Sequence, residues 1–179
     1  MPARNPTIFD LVSQPQELGA ARTFELALYL PPLRLAGRDY VFVSDVVPAR
    51  LTATFAGGGF AVKLEFSCRL EGACWRCLEP ADLDLDVKAE DYFETKLPPV
   101  EEIGEEEEAS LWFMEDGSLN LSEWARSAIA ELLPPQILCR QACKGLCPQC
   151  GANLNFEECG CKPPLDMRWG KLRKWKAAD

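Results

Sequence analysis

The chain has 179 residues and a formal net charge of −9, too acidic overall to coat a phosphate backbone over its whole surface. Its hydrophobic share of 47% and charged share of 26% are those of a soluble globular protein with room for one ordinary domain and a small appended module. No stretch approaches the ~18 unbroken apolar residues of a membrane span, and with no histidine in the chain an imidazole base or imidazole metal ligand is excluded.

The opening MPARNPTIFDLVSQPQELGA has no basic start followed by an apolar run, so a secretory leader is not expected and the default location is the cytoplasm, where thiols stay reduced. Apolar Phe24, Leu26, Leu28 and Leu30 then recur at every second position, the period of a strand with one buried face. A further strand is predicted over Asp39 to Val47, and Leu51, Ala53 and Phe55 begin another that ends in the turn Gly57-Gly58-Gly59. The clearest run follows. Phe60, Val62, Leu64, Phe66, Cys68 and Leu70 alternate with Lys63, Glu65, Ser67 and Arg69, and Ala81, Leu83, Leu85 and Val87 alternate with Asp82, Asp84 and Asp86. These two runs predict a hairpin whose tip is Cys74-Trp-Arg-Cys77. The aspartates belong on its solvated face rather than in a calcium site. Residues 97–110 are acidic and poor in apolar side chains, which predicts a mobile loop.

After the turn signal Asp116-Gly117, a helix is predicted over residues 120–133, with Asn120 and Glu123 as a capping box, Leu121, Ala125, Ala128 and Leu132 on one stripe, and Pro134-Pro135 as its stop. The fold class is therefore α+β: an antiparallel meander or partly open barrel with one amphipathic helix (residues 1–138), then a cysteine-rich tail with a basic end (residues 139–179). Charge divides the same way: residues 1–138 hold 11 basic and 24 acidic side chains, residues 139–179 hold 8 and 4. Any contact with nucleic acid should thus be local to the tail.

Six cysteines fall within Cys139–Cys161, and Cys74 and Cys77 add a CxxC pair upstream. In a reducing compartment such spacing points to metal ligands, and without imidazole a zinc site has to be all-sulfur or mixed with oxygen. Cys147-Pro-Gln-Cys150-Gly151 has the form of a zinc knuckle, closed most simply by Cys159 and Cys161. Cys139 and Cys143 would then join Cys74 and Cys77 in a second site. The alternative groups Cys139, Cys143, Cys147 and Cys150 around one ion and leaves the last pair free. One or two structural zinc ions are expected. Cys68, on the apolar face of a strand, reads as a buried thiol without a partner. A thiol–disulfide role for CWRC is disfavoured, since a hairpin tip supplies no helix N-terminus to lower a thiol pKa and no βαβ pattern surrounds it. There is no phosphate-cradling loop around Gly57–Gly59, and a zinc closed by four sulfurs offers no open position for catalysis. No enzymatic activity and no small-molecule substrate are expected.

Leu138-CRQACKGLCPQCGANLNFEECGC followed by Asp166-Met-Arg-Trp, together with CWRCLEP at 74–80 and Asp116-Gly-Ser-Leu-Asn-Leu, closely resembles the YceD family of bacterial and plastid proteins over roughly residues 40–175. Met167 stands where proline is more usual, and some relatives lack most of the tail cysteines, so this is the cysteine-rich version. The resemblance implies a role in accumulation of large-subunit ribosomal RNA, with ribosomal RNA or a ribosomal protein as partner. Lys171, Arg173, Lys174 and Lys176 are the candidate RNA contacts, with Trp169 and Trp175 as candidate stacking platforms; both tryptophans can equally pack a tail helix onto the core. An acidic body that engages a basic protein without touching RNA is the rival reading.

Overall fold

The computed structural model describes residues 6–15, 17–35, 37–94 and 116–161. The acidic segment 97–110 and the candidate RNA contacts from Trp169 to Lys176 lie outside the described residues. Eight strands and one helix follow in chain order: β1 (Ile8–Asp10), β2 (Ala21–Tyr29), β3 (Leu33–Leu35), β4 (Arg38–Phe42), β5 (Val46–Phe55), β6 (Gly59–Ala73), β7 (Pro80–Glu94), β8 (Ser118–Asn120) and α1 (Leu121–Leu132).

Strand β6 is the axis. Its 15 residues pair with β7 along their whole length, from Gly59↔Glu94 to Ala73↔Pro80. The opposite edge is shared, with β5 taking Phe60 to Phe66 and β4 taking Leu70 and Glu71. Beyond β5 lies β2, and beyond β4 lies β3. All these pairings are antiparallel. Strands β5, β6 and β7 form a meander, and among the described residues no pairing joins β2 to β7, so the sheet remains open and is not a closed barrel. One expected strand divides in two: Asp39 to Val47 spans the end of β4 and the start of β5, with Val43–Asp45 between them. Ser44 Oγ donates to Val46 O at 2.6 Å there, a local hydroxyl-to-backbone bond of the kind that stabilises a turn.

The alternation sorts side chains as its period requires. Phe60, Val62, Leu64, Phe66, Cys68 and Leu70 are all buried, and Leu64 and Leu51 are fully enclosed. The other face carries ion pairs: Arg50–Glu25 at 2.8 Å, Lys63–Glu90 at 3.2 Å, and Arg69 with both Asp82 and Asp84. Asp86 accepts from Ser67 Oγ at 2.6 Å. The three aspartates are thus partnered by a guanidinium and a hydroxyl on a solvated face.

Helix α1 covers the apolar face of the sheet beside β7, where Trp124 meets Phe93 edge-on with ring centroids 5.6 Å apart. Asn120 caps it by accepting from Glu123 N at 3.2 Å. The Glu123 carboxylate instead pairs with Arg126, so only half of the expected capping box forms. Leu133, ahead of the two prolines, is already extended at φ −66°, ψ 130°. The buried stripe is Leu121, Ser122, Trp124, Ala125, Ala128 and Ile129. Leu132, expected on that stripe, is 47% exposed at the last residue of the helix. Ser122, buried at 1% exposure, donates to Tyr29 O at 2.7 Å and accepts from Thr7 N at 2.9 Å, tying the helix to the backbone of β2 and the segment before β1. Among the described residues no helix is long and apolar enough to cross a membrane.

Replacing Leu64 by alanine should cost about 2–5 kcal/mol through lost burial and the cavity left behind, while Leu132→Ala should shift stability by less than ~0.5 kcal/mol. Urea denaturation of the two variants checks the contrast, and equal losses would contradict the packing described here.

Candidate metal centres

The β6–β7 hairpin ends in a six-residue tip, Cys74 to Glu79. Cys74 N donates to Glu79 O at 2.8 Å and Leu78 N donates back to Cys74 O at 3.1 Å. Residues 147–152 repeat the device: Cys147 N donates to Ala152 O at 2.8 Å and Gly151 N to Cys147 O at 2.9 Å. In both, the residue after the second cysteine sits in the left-handed region, at φ +76° for Gly151 and φ +65° for Leu78. Glycine enters that region freely; a leucine is strained there by ~1–2 kcal/mol. The two CxxC segments are therefore the same knuckle built from different residues.

The polypeptide from 137 to 154 is laid against the first knuckle by its own backbone. Trp75 N donates to Ile137 O at 2.8 Å, Leu146 N donates to Arg76 O at 3.1 Å, and Arg76 Nη1 donates to Cys143 O at 3.0 Å. Gly145, at φ +76°, passes so close that a Cβ there would stand 3.0 Å from Arg76 O. Arg38 of β4 stacks over the Trp75 ring at 4.1 Å, holding the tip from the sheet side.

This path brings Cys74, Cys77, Cys139 and Cys143 together, and separately Cys147, Cys150, Cys159 and Cys161; within each group all sulfurs lie within 4.8 Å of one another. The expected partition into 74/77/139/143 and 147/150/159/161 is the arrangement seen, and the alternative grouping of 139, 143, 147 and 150 is not. The Cys74–Cys143 and Cys77–Cys139 sulfur separations are 3.8 and 3.6 Å. A disulfide needs ~2.05 Å, and all nine thiols are free. Four sulfurs placed ~2.3 Å from a tetrahedral zinc stand roughly 3.8 Å apart, so the spacing fits a four-thiolate ion. Cadmium, iron or cobalt would also accept four sulfurs in this geometry. Cys68 is buried and belongs to neither group.

The groups differ in setting. Cys74, Cys77 and Cys143 are 0–3% exposed and belong to the main core, whereas Cys150 and Cys161 are exposed. The first group links segments 62 or more residues apart across the boundary expected at 138/139; the second closes within residues 147–161.

Both groups hold thiols made more acidic by their surroundings. Burial pushes Cys74 up, but backbone N–H groups of Cys139, Cys77 and Arg76 outweigh it and bring the thiol down to about 6. N–H groups of Cys150 and Gln149 bring Cys147 down to about 6. Cys143 is also lowered, chiefly by the Asn155 side chain. Cys139 is pushed up to about 12 by burial and neighbouring thiols, and Cys161 to about 12 by Cys150 and burial. Metal-free, each group thus shares protons around a thiolate; a divalent cation would displace them.

The expected cysteines are brought together, the expected RNA contacts lie outside the described residues, and two unexpected side chains join the sulfurs: Asn155 donates to Cys143 Sγ and is itself held by Asn153. Their only sequence signal was the Asn-Leu-Asn tripeptide inside the cysteine cluster.

In the metal-free chain, the lowered thiols Cys74 and Cys147 stabilise the fold above the ordinary thiol value of 9.0 and lose that contribution as pH falls through about 6. The raised thiols Cys139 and Cys161 act oppositely, stabilising below 9.0 and losing it as pH climbs toward about 12. Urea midpoints should therefore rise from pH 6 to 9 and fall above it. A flat profile between 6 and 9 would refute the assignment of thiolates to Cys74 and Cys147.

The family model described as "Large ribosomal RNA subunit accumulation protein YceD" matches residues 62–176. Uncharacterized proteins of Mycobacterium tuberculosis and Mycobacterium bovis are each 34% identical over 101 residues, which is 56% of this chain and 48% of theirs. An uncharacterized protein of Mycobacterium leprae is 24% identical over 177 residues, 98% of this chain and 80% of its own. The chain spans about half the length of the first of these relatives, and no solved structure matches it. With a match that covers well over half of its length and includes both knuckles, the chain belongs to the YceD family.

Proposed function

We propose that the protein is a non-enzymatic factor in large-subunit ribosomal RNA accumulation, in which two structural zinc ions hold a basic tail against an acidic body and the tail contacts RNA. The observation that supports this is the reach of the family match: it runs from β6 through both four-sulfur groups to residue 176, so the matched region includes the metal module and the basic segment. The charge division agrees. Lys171, Arg173, Lys174 and Lys176 stand in the one part of the chain with a positive balance, and the paired ion network on the sheet face leaves little there to attract phosphate. Trp169 and Trp175 offer flat rings for unstacked bases. Each ion, when bound, would supply the Lewis-acid charge that draws four thiolates and their chain segments together; with every ligand position taken by sulfur, its role would be structural.

The rival reading, an acidic adaptor for a basic ribosomal protein, is favoured by the balance of 11 basic against 24 acidic side chains in residues 1–138.

Native mass spectrometry of the full chain should find two zinc ions. A metal-free protein with intact thiols and native circular dichroism overturns the metal reading. Titration with ribosomal RNA fragments should show affinity that falls with salt, and alanine at Lys171, Arg173, Lys174 and Lys176 should weaken it about tenfold or more at low salt and flatten the salt slope. Affinity unchanged by those substitutions refutes the tail contact, and no detectable RNA binding alongside capture of a basic ribosomal protein establishes the adaptor.

A further inference from the structure

Asn155 belongs by sequence to the second knuckle, between Cys150 and Cys159, yet its side chain serves the first group. Its Nδ2 donates to Cys143 Sγ at 3.3 Å and to Asn153 Oδ1 at 2.9 Å. Its Oδ1 accepts from Lys144 N and from Arg140 Nη2, both at 2.9 Å. All four hydrogen-bonding positions of the amide are therefore used. The orientation is fixed independently of the sulfur: Lys144 N can only donate, so the oxygen must face it and the NH₂ must face Cys143. Asn153 is held in turn by the Leu146–Asn153 bridge, and Leu154 N donates to Gly145 O at 3.0 Å. The loop that carries both asparagines is bounded by the sulfurs of the second group.

We infer that Asn155 is an outer-sphere positioning residue that couples the two metal centres, so that an ion in the second group strengthens retention of the ion in the first. This rests on the metal reading of both groups. An N–H donated to a ligating thiolate draws charge off the sulfur and fixes its direction, and partners of this kind typically govern metal affinity by about 10–100-fold. Filling the second group orders residues 147–161, and with them the amide that Cys143 depends on. Coupling is reciprocal in equilibrium terms, so the first ion also favours the second. In kinetics the asymmetry of burial makes the first group the slow one, since three of its four cysteines are enclosed while Cys150 and Cys161 are exposed.

The test follows zinc release from the holoprotein to a chromogenic chelator. The wild type should give a fast phase and a slow phase of one ion each. Asn155→Ala and Asn155→Asp should accelerate the slow phase about tenfold or more. The aspartate keeps an oxygen for Lys144 N and Arg140 while removing the donors to Cys143 Sγ and Asn153 Oδ1, so release from Asn155→Asp at the wild-type slow rate overturns the proposal. Cys159→Ala/Cys161→Ala should carry one ion and release it faster than the wild-type slow phase; release at the wild-type slow rate also overturns it. In that double variant, Asn155→Ala should add less than it does in the wild type, whereas full additivity means the two groups act independently. Cobalt substitution separates fold from site: Asn155→Asp should shift the sulfur-to-cobalt charge-transfer band while far-ultraviolet circular dichroism stays native. A wild type that binds no ion refutes the metal reading itself, and a wild type that binds two ions with release indifferent to Asn155 refutes the coupling alone.

Discussion

The described chain past the helix, residues 134–161, depends on the contact between the hairpin tip at 74–79 and the turn at 139–143. Among the described residues, 134–161 form no helix and no strand, only the Leu146–Asn153 bridge. Ile137, Leu138, Cys143 and Leu146 are the few side chains there that reach the core. Fixing a segment of this length costs about 1–2 kcal/mol of backbone entropy per residue, far more than four partly apolar contacts return. What remains to hold it is a handful of backbone hydrogen bonds to the knuckle and the two groups of sulfurs. Four thiols pressed to within 4.8 Å make a poor apolar core and a worse ionic one unless a cation sits among them. The fold of the C-terminal segment and the occupancy of these sites are therefore one question.

The length of β6 follows from the same constraint. Its first half, with β5 and β7, builds the face that α1 covers, and that would suffice for a core. Its second half, paired with β4 and β7, carries the hairpin tip well beyond the β5 pairing. That overhang is where Arg38 meets Trp75 and where Ile137 and Leu146 dock. The hairpin is thus both a central strand pair of the sheet and the arm that holds one half of a metal centre. This arrangement makes the first group directly sensitive to the integrity of the sheet, whereas the second group, closed within 15 residues, meets the sheet through the contacts of Leu154 and Asn155 with residues 140–145.

Period two in β6 and β7 made the buried face readable residue by residue, because in an antiparallel sheet with one solvated side burial is decided by alternation alone. The pairing of sulfurs was legible for a related reason: two CxxC pairs, one CxxxC and one CxC are local devices, so four pairs could be combined in few ways. Other features had no local signal. The break at Val43–Asp45 falls in a stretch of mostly β-favouring residues, where a turn is chosen by the partner strands. Leu132 is on the stripe by angle but exposed at the last residue of the helix, and periodicity cannot sense where a helix leaves its cover. Leu78 occupies a glycine-like conformation imposed by the two hydrogen bonds of its knuckle, against its own preference. Asn155 looks like any loop asparagine until the first knuckle, far upstream in sequence, is placed beside it.

The metal reading also relocates the positive charge. Residues 139–161 contain Arg140 and Lys144 against Glu157 and Glu158, a neutral balance, and the excess of +4 belongs to residues 162–179, with six basic and two acidic side chains. Eight thiolates around two divalent ions add −4 to the module. Arg140 is moreover engaged by the Asn155 carbonyl, and Arg76 by Cys143 O, so the cations nearest the sulfurs serve the sulfurs. A metal-loaded module would repel phosphate as the body does, leaving the last 18 residues as the one segment suited to it. The four-sulfur centres would then bear on such a contact by setting where that segment begins, through their geometry and not their charge.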